Sequence, residues 1–302
     1  MSDWTVPAVI AVALGGALIV ALLEKAVAGT RPAPAGVLRN AVAAFDQPLT
    51  VPHRPDAWLF HLAPVLLMVA AVTALATVPW APGFRGVDIS TGGILFSAAL
   101  AYVTPAVFMA GWGGGSPLAV LGGFRFLALM LAYAMPLAMV VTAVAAPAES
   151  LRPTDIVESQ HAVPMAVSQP LALVLFVPAA MAVALLPPFD IAHADGEMGG
   201  GVFRHYTGVH GALVALAQRV LVVAVAGMTA TLFLSGWHGP VLPPALWMAL
   251  KTAGVAALML AAGRFLPRPP LEQVLAWAWK VAIPAALLAI AWAGLVTLWF
   301  YR

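Results

Sequence analysis

The sequence predicts an all-α membrane protein, a polytopic bundle of about eight transmembrane helices that forms one integral membrane domain over residues 1–302. Of these residues 63% are hydrophobic and only 9% are charged, and the mean hydropathy is +0.98. A soluble domain needs a charged exterior, so most of this chain must face lipid. The apolar runs are also long and continuous, which favours helices over the short alternating strands of a barrel.

Each expected span is an apolar run of about 20 residues, which is the length of helix that crosses the hydrocarbon core. The runs cover roughly residues 5–24, 58–79, 91–111, 118–146, 168–187, 209–236, 244–263 and 279–300. Proline inside a helix removes a backbone hydrogen bond and bends the helix. Pro105, Pro136 and Pro178 therefore predict that three of the spans are kinked.

The distribution of basic residues predicts that both chain termini lie on the outer side of the membrane. Cytoplasmic connections carry an excess of lysine and arginine. With the N-terminus outside, the outer segments contain Arg85, Arg152 and Arg302. The inner connections then contain the larger group, which is Lys25, Arg31, Arg39, Arg54, Arg204, Arg264 and Arg268. We expect a multi-pass protein of the cell (inner) membrane, in direct contact with the lipid bilayer.

The first inner connection, residues 25–57, contains a segment with the periodicity of a short amphipathic helix. Within residues 35–45 the apolar side chains recur at helical spacing. They are Val37, Leu38, Ala41, Val42 and Phe45. Two placements fit this pattern: the helix lies in the membrane interface, or it packs on the bundle.

Composition excludes several classes of function. The chain has no cysteine, so it has no disulfide and no thiolate ligand for an iron–sulfur cluster. A net charge of +2 is too small to indicate a nucleic-acid partner. No carboxylate falls in the middle of a span, which disfavours an independent ion-driven transporter. Only His61 lies well inside a span, whereas a b-type haem would need paired histidines there.

A charged inner loop over residues 187–208 separates two very apolar stretches. His193, Asp195 and Glu197 alternate in it, and Arg204 and His205 follow. Oxygen and imidazole ligands could bind a divalent metal, but no spacing here is diagnostic and no metal is assigned. Two other interpretations stay open. The charges could simply be solvated outside the lipid, or they could contact a lipid headgroup or a partner subunit.

This loop resembles the signature loop of the complex I membrane subunit that is called H in bacteria and subunit 1 in mitochondria. The family reads approximately P-F-D-L-P-E-A-E-x-E-L-V-x-G-x-x-T-E-Y-S-G, and PFDIAHADGEMGGGVFRHYTG aligns with it without a gap. Asp195 stands for a glutamate of the family. The matching residues are Pro188, Phe189, Asp190, Ala194, Glu197, Gly201, Tyr206 and Gly208.

Three more segments resemble the family in the same order, so the resemblance covers nearly the whole chain. Glu24 and Lys25 fit the opening of a family segment that begins E-R. AGWGGGSPLAVLGGFRFLALMLAYAMP is similar to a second family motif and matches it at Gly111, Trp112, Leu121, Gly122, Arg125, Tyr133 and Pro136. GRFLPRPPLEQVLAWAWKVAIP resembles the closing motif and matches it at Arg264, Pro267, Arg268, Gln273, Trp279, Lys280 and Pro284.

The resemblance implies the heel subunit of the membrane arm, a non-catalytic part of a multi-subunit oxidoreductase. Such a subunit docks the hydrophilic subunits that carry the iron–sulfur clusters, forms the entrance of the quinone cavity and couples electron transfer to proton translocation. Its other partners are the antiporter-like and small membrane-arm subunits. No cofactor is covalently bound, and quinone is expected at the interface with the hydrophilic arm. The family also includes the quinone-free membrane anchor of energy-converting nickel–iron hydrogenases and formate hydrogenlyases, and an independent transporter is the third interpretation.

The resemblance also implies the site residues. The coupling loop would use Asp190, His193, Asp195, Glu197, Arg204 and His205, where His193 and His205 stand in place of family acids. The quinone cavity or polar axis would use Glu24, Lys25, Arg31, Arg39, Arg125, Tyr133 and Tyr206. Two further acids are absent. The intramembrane glutamate of the family motif S-Y-E-V is Ala134 here, and the acid of its A-E-Y is Gln218.

Overall fold

The computed structural model describes residues 5–50, 56–84, 86–161, 163–192 and 199–300. Over that part of the chain, seven helices are long and apolar enough to cross a membrane. This confirms the predicted polytopic all-α membrane bundle. In chain order the helices are α1 (Thr5–Val27), α2 (Pro34–Phe45), α3 (Ala57–Ala76), α4 (Gly92–Gly113), α5 (Pro117–Ala145), α6 (Pro153–Ser159), α7 (Met165–Ser168), α8 (Pro170–Val183), α9 (Gly208–Phe233), α10 (Pro244–Phe265), α11 (Leu271–Trp277) and α12 (Ile283–Phe300).

The fifth expected span differs most from its prediction. Residues 170–187 are apolar throughout, but the helix found there, α8, has only 14 residues. It begins at Pro170, and the chain leaves it at Leu185, which takes a positive φ of 57°. A helix this short does not by itself cross the hydrocarbon core, and Phe176 and most of its second half are buried in the bundle.

The last span begins earlier than predicted. Helix α11, a single π-helical turn over Ala278–Ala282 and helix α12 follow one another without a break. Their continuous apolar run, Leu271–Leu298, replaces the expected 279–300. Pro269 and Pro270 set the start, since proline is favoured directly before and at the first turn of a helix.

Prolines occur inside four of the helices, where they interrupt the backbone hydrogen-bond ladder. Pro105, Pro136 and Pro178 lie within α4, α5 and α8, as the sequence predicts. Pro64 lies within α3 and is a fourth such position. The core lies between these helices and α9, and its large side chains without solvent exposure include Phe60, Phe96, Phe126, Phe176 and Phe233.

Helix α2 matches the amphipathic segment expected at residues 35–45. It contacts α1 and α9, yet it has no buried residue. Leu38, Val42 and Phe45 are all exposed on it. An apolar row that the bundle does not cover suits a helix lying in the membrane interface.

The connections between the helices lie at the two ends of the bundle. One of these ends is called the loop end. It is formed by residues 28–50, 114–116, 184–192, 199–207 and 266–270. At the opposite end, Lys251 closes the terminus of α9 by donating to the carbonyl oxygens of Leu234, Gly236 and His238 at 2.6, 2.9 and 2.8 Å. The buried side chain of Gln160 bonds the same region, since its Oε1 accepts from the Ser235 amide at 3.0 Å.

Candidate functional site

An ion pair between two of the matching motifs lies at the loop end. Asp190 is only 4% exposed, and its Oδ2 accepts a hydrogen bond of 2.7 Å from Nη2 of Arg268. Its other oxygen, Oδ1, is buried without a hydrogen-bond partner among the described residues. The Arg268 side chain is half exposed. Only one oxygen of the carboxylate is therefore bonded. Burying a charged group whose second oxygen lacks a donor costs free energy, so this arrangement calls for an explanation.

Two helix glycines let this loop pack directly on the bundle. A Cβ at Gly122 of α5 would come within 2.4 Å of the Ala192 carbonyl oxygen, and a Cβ at Gly263 of α10 would come within 2.5 Å of the Pro187 carbonyl oxygen. The amide of Val202 donates to the same Ala192 oxygen at 3.3 Å. Both ends of the loop are thus fixed, one on each side of residues 193–198.

The two expected tyrosines occupy different surroundings. Tyr206 stacks on Phe60 at 4.6 Å, and its hydroxyl donates to the Phe60 carbonyl at 3.2 Å. Burial raises the pKa of the Tyr206 phenol above its ordinary value, which strengthens the preference for its neutral form. Tyr133 is buried in α5 beside Phe189 and Trp277, and its hydroxyl has no partner among the described residues. It is a polar atom inside the apolar core that lacks a hydrogen-bond partner among the described residues.

A second ion pair joins α1 to α9. The Nε and Nη2 atoms of Arg219 lie 3.2 and 3.1 Å from Oε2 of Glu24. Both side chains are about one third exposed, at 34% and 37%. The sequence predicts Glu24 at a cavity entrance but does not identify its partner. Arg219 follows Gln218 directly, so a base stands beside the position where the family has an acid.

The first connection is attached to the charged loop. The Thr207 hydroxyl accepts from the Thr50 amide at 2.9 Å and donates to the Pro48 carbonyl at 3.1 Å. Gly208, at φ +57°, lies so close to Gln47 that a Cβ would come within 2.6 Å of its carbonyl oxygen. The two inner connections predicted separately from the sequence therefore form one surface.

The other expected residues differ in their exposure to solvent. Arg31, Arg39 and Arg204 are exposed, while Lys25 and Arg125 are half-buried. The ring of His205 lies over Gly114, and its Nε2 is buried without a partner among the described residues. His193, Asp195 and Glu197 lie outside the described residues. A metal site that used them therefore also lies outside the described part of the chain. Elsewhere in the described part, no three histidine or acidic side chains are grouped to hold a metal.

Sequence analysis did not identify a contact between His61 and His210. The first is in α3 and the second in α9, and their rings share a hydrogen bond of 3.0 Å. The two positions are 149 residues apart in sequence, so neither gives a local signal of the other. Only the packing of α3 on α9 brings them together.

Seven long apolar helices define a multi-pass membrane protein over the described part of the chain. Comparison with known proteins identifies the family of membrane proteins to which the chain belongs. The family model described as NADH dehydrogenase matches residues 6–294. The chain belongs to this family, that of the complex I membrane subunit called H or 1, which confirms the resemblance. It is therefore a subunit of a multi-subunit membrane respiratory complex.

Two curated relatives have similar lengths of match, and both are named as the H subunit of an NADH-quinone oxidoreductase. The one from Syntrophobacter fumaroxidans, which carries the number 2 in its name, is 35% identical over 259 residues, which are 83% of this chain and 78% of the relative. The one from Geobacillus kaustophilus is 35% identical over 257 residues, 83% of this chain and 77% of the relative.

A solved structure shows the same fold. A chain of the membrane-bound sulfane sulfur reductase, an archaeal respiratory membrane complex, superposes with a TM-score of 0.84. The match covers 96% of this chain and 98% of that chain, at 21% sequence identity.

Proposed function

We propose that this chain is the heel subunit of a complex I-like respiratory enzyme. At its loop end it docks the hydrophilic iron–sulfur subunits and forms the entrance of a quinone cavity, and through the charged loop it couples electron transfer to proton translocation. The antiporter-like and small membrane-arm subunits are its lateral partners. The loop end faces the cytoplasm, and both termini lie outside.

The pair of Asp190 with Arg268 carries this proposal. A solvated loop has no reason to bury a carboxylate, yet Asp190 is 4% exposed and bonded to the closing motif. The pair links the loop to the segment before α11, so a change in the charge of the loop alters how these two segments fit together. A coupling element needs such a link between the charge of one segment and the position of another.

Native purification tests the proposal. With an affinity tag on this chain, we expect hydrophilic iron–sulfur subunits and antiporter-like membrane subunits to copurify, together with a flavin-containing NADH module. Mass spectrometry of the purified complex identifies them. A chain that purifies alone from native membranes, under conditions that preserve other respiratory complexes, contradicts the proposal.

The second candidate is the membrane anchor of an energy-converting nickel–iron hydrogenase or formate hydrogenlyase type of complex, which uses no quinone. One position favours it. Ala134 stands where the family has an intramembrane glutamate, and it lies on the exposed face of α5, beside buried Tyr133. Alanine at this position can neither carry a proton nor accept a hydrogen bond through its side chain.

A photoreactive quinone analogue distinguishes the two candidates. If the quinone cavity is present, we expect light-induced attachment in the segment from Glu24 to Arg39, because this segment contains one partner of the Glu24–Arg219 pair and most of α2, which packs on α1 and α9. An excess of unlabelled quinone must abolish the labelling. An active complex that gives no label in this segment favours the quinone-free anchor, and nickel–iron subunits among the copurified proteins would agree with it.

A further inference from the structure

A narrow apolar cavity, which we call the α1–α10 slot, lies between two of the long helices. Residues 12–20 of α1 form one wall and residues 245–256 of α10 form the other. Val223 of α9 and Trp80 from the connection after α3 also line it. The slot has a volume of about 290 Å³, and none of the described residues that line it is charged.

Small residues on both walls leave this space unfilled. Gly16 packs so closely on α9 that a Cβ there would come within 2.9 Å of two methyl carbons of Val223. Its neighbour Gly15 is different, since no atom lies within 4 Å of the position that a Cβ would take. On α10, Ala245 and Ala249 are one helical turn apart and line the other wall. The two helices therefore contact each other without side chains long enough to fill the gap between them.

The slot has the length of the hydrocarbon in one leaflet. At about 1.5 Å per residue, its wall on α1 covers about 12 Å and its wall on α10 about 16 Å. One leaflet contributes about 15 Å, which is half of a hydrocarbon core about 30 Å thick. Helix α10 begins at Pro244, at the end of the bundle opposite the loop end. Trp80 follows α3 at that same end, and tryptophan is enriched at the membrane interface. The slot thus runs from this interface to about the middle of the membrane.

The width of the slot excludes a helix of a neighbouring subunit. A volume of about 290 Å³ spread over about 15 Å gives a mean cross-section of about 20 Å², which is about 5 Å across. A helix with its side chains is about 10 Å wide or more. The slot therefore has room for one extended hydrocarbon chain and no room for a helix.

The slot is continuous with the surface that faces lipid. Gly15, Ile19 and Ala245 line it and are exposed, so it opens to the side of the bundle. Leu14 and Leu246 beside them are exposed apolar residues of the same two helices. Water does not suit the slot, because a bound water needs roughly two to four polar partners and the lining is almost entirely apolar. An empty slot would lose dispersion contacts along both walls. The molecules that reach its open side are the phospholipids of the bilayer.

We propose that the α1–α10 slot binds one acyl chain of a phospholipid from the leaflet at the end opposite the loop end. Packing contacts hold the chain there, since lipid and slot are equally apolar and the hydrophobic effect favours neither. Among the seven described spans, α1 has the smallest buried share, 22%. A chain in the slot adds contacts between α1 and α10 and so supports the position of Glu24, which α1 contributes to its pair with Arg219. The inference concerns lipid binding and does not rest on the proposed function.

Photolabelling of the native complex tests this site. The purified complex is exchanged with phosphatidylethanolamine that carries a diazirine in the middle of an acyl chain, washed extensively with detergent and irradiated. Mass spectrometry then locates the label on peptides of this chain. We expect the label on residues 12–20 and 245–256 to survive the wash. The label on α12, whose exposed Leu287 and Leu288 face lipid without a slot, should be lost.

Two substitutions fill the slot from its opposite walls. Gly15→Phe and Ala249→Phe each place a phenyl ring in the space for the acyl chain, so each should reduce the retained label on the slot to the level on α12. Gly254→Phe is the matched control. Gly254 is an exposed residue of α10 outside the slot, and a Cβ there meets no atom within 4 Å. This variant should retain the label as the wild type does.

The other outcomes overturn the proposal. A wild-type label on the slot that washes out together with the label on α12 would mean that only exchanging lipid touches it. A label that persists in both slot-filling variants would come from a different position. A slot that is labelled by a quinone with a diazirine in its tail, and not by the phospholipid, would hold a quinone tail. Cross-links from the slot to another subunit would mean that protein covers it. If neither slot-filling variant assembles, the wash of the wild type and of Gly254→Phe decides between retained and exchanging lipid.

Discussion

Replacing Asp190 by asparagine is expected to lower turnover of the assembled complex by about 100-fold, the lower end of the range for loss of a group that transfers protons. Asparagine has nearly the same size, so the loop should remain packed and the subunit should still assemble. What changes is the charge that faces Arg268 at 2.7 Å. Without it the loop can no longer respond electrostatically to that guanidinium. Turnover of the purified complex and its subunit composition should be measured on the same preparation.

Asp88→Asn is the matched control for this experiment. Asp88 also faces an arginine, since one of its oxygens lies 3.8 Å from Nε of Arg152, but this pair is at the opposite end of the bundle. It accepts a hydrogen bond from Thr154 at 3.0 Å. We expect near wild-type turnover for this variant. Equal losses in both variants would mean that any acid–arginine pair is needed for stability, and unchanged activity in Asp190→Asn would remove the loop from the mechanism.

The second large effect is expected from a single methyl group under the charged loop. In Gly122→Ala the new Cβ would come within 2.4 Å of the Ala192 carbonyl oxygen, and that oxygen belongs to the backbone. The loop must move away from α5, at a cost of about 2 kcal/mol or more for an overpacked site. The Asp190–Arg268 pair then loses its alignment. Thermal unfolding of the detergent-purified complex should begin at lower temperature, and its turnover should fall.

Gly254→Ala controls for the loss of helix flexibility alone. Gly254 lies within α10, and an added Cβ there would meet no atom within 4 Å. Alanine should stabilise that helix slightly, because it has the higher helix propensity. If Gly122→Ala behaves like Gly254→Ala, the loop does not pack on α5 as the structure shows, and Gly122 has no role in positioning it.

The bundle was predictable from the sequence because helices that cross lipid must be long and apolar. Counting such runs predicted about eight spans, and seven helices of that length are described. The exceptions have local causes. Residues 184–187 are as apolar as the helix before them, so composition extends the fifth span too far. Leu185 nevertheless turns the chain with a positive φ, and α8 ends at Val183. At the last span, Glu272 makes the sequence before residue 279 look like a connection, although a helix begins at Leu271.

The candidate site was predictable only as separate pieces. The motifs identify Asp190, Arg268 and Glu24 by type, and the inner loops contain or adjoin all of them. Their pairing depends on how helices far apart in sequence pack. Asp190 meets Arg268 across 78 residues, and Glu24 meets Arg219 across 195 residues. The His61–His210 bond has the same origin, and single-sequence patterns contain no signal for such contacts.

Cysteine labelling tests most directly whether the loop end faces the cytoplasm beneath a docked hydrophilic arm. The chain has no cysteine of its own, so single introduced cysteines report without background from this subunit. Val241, 85% exposed, lies at the opposite end, and Leu266, 54% exposed, lies at the loop end. In intact spheroplasts, a membrane-impermeant maleimide should label Val241→Cys and leave Leu266→Cys unlabelled. Leu266→Cys should react only after the membrane is opened, and faster once the hydrophilic subunits are stripped away. Labelling of Leu266→Cys in intact spheroplasts, or a rate that stripping does not change, would contradict the orientation or the docking.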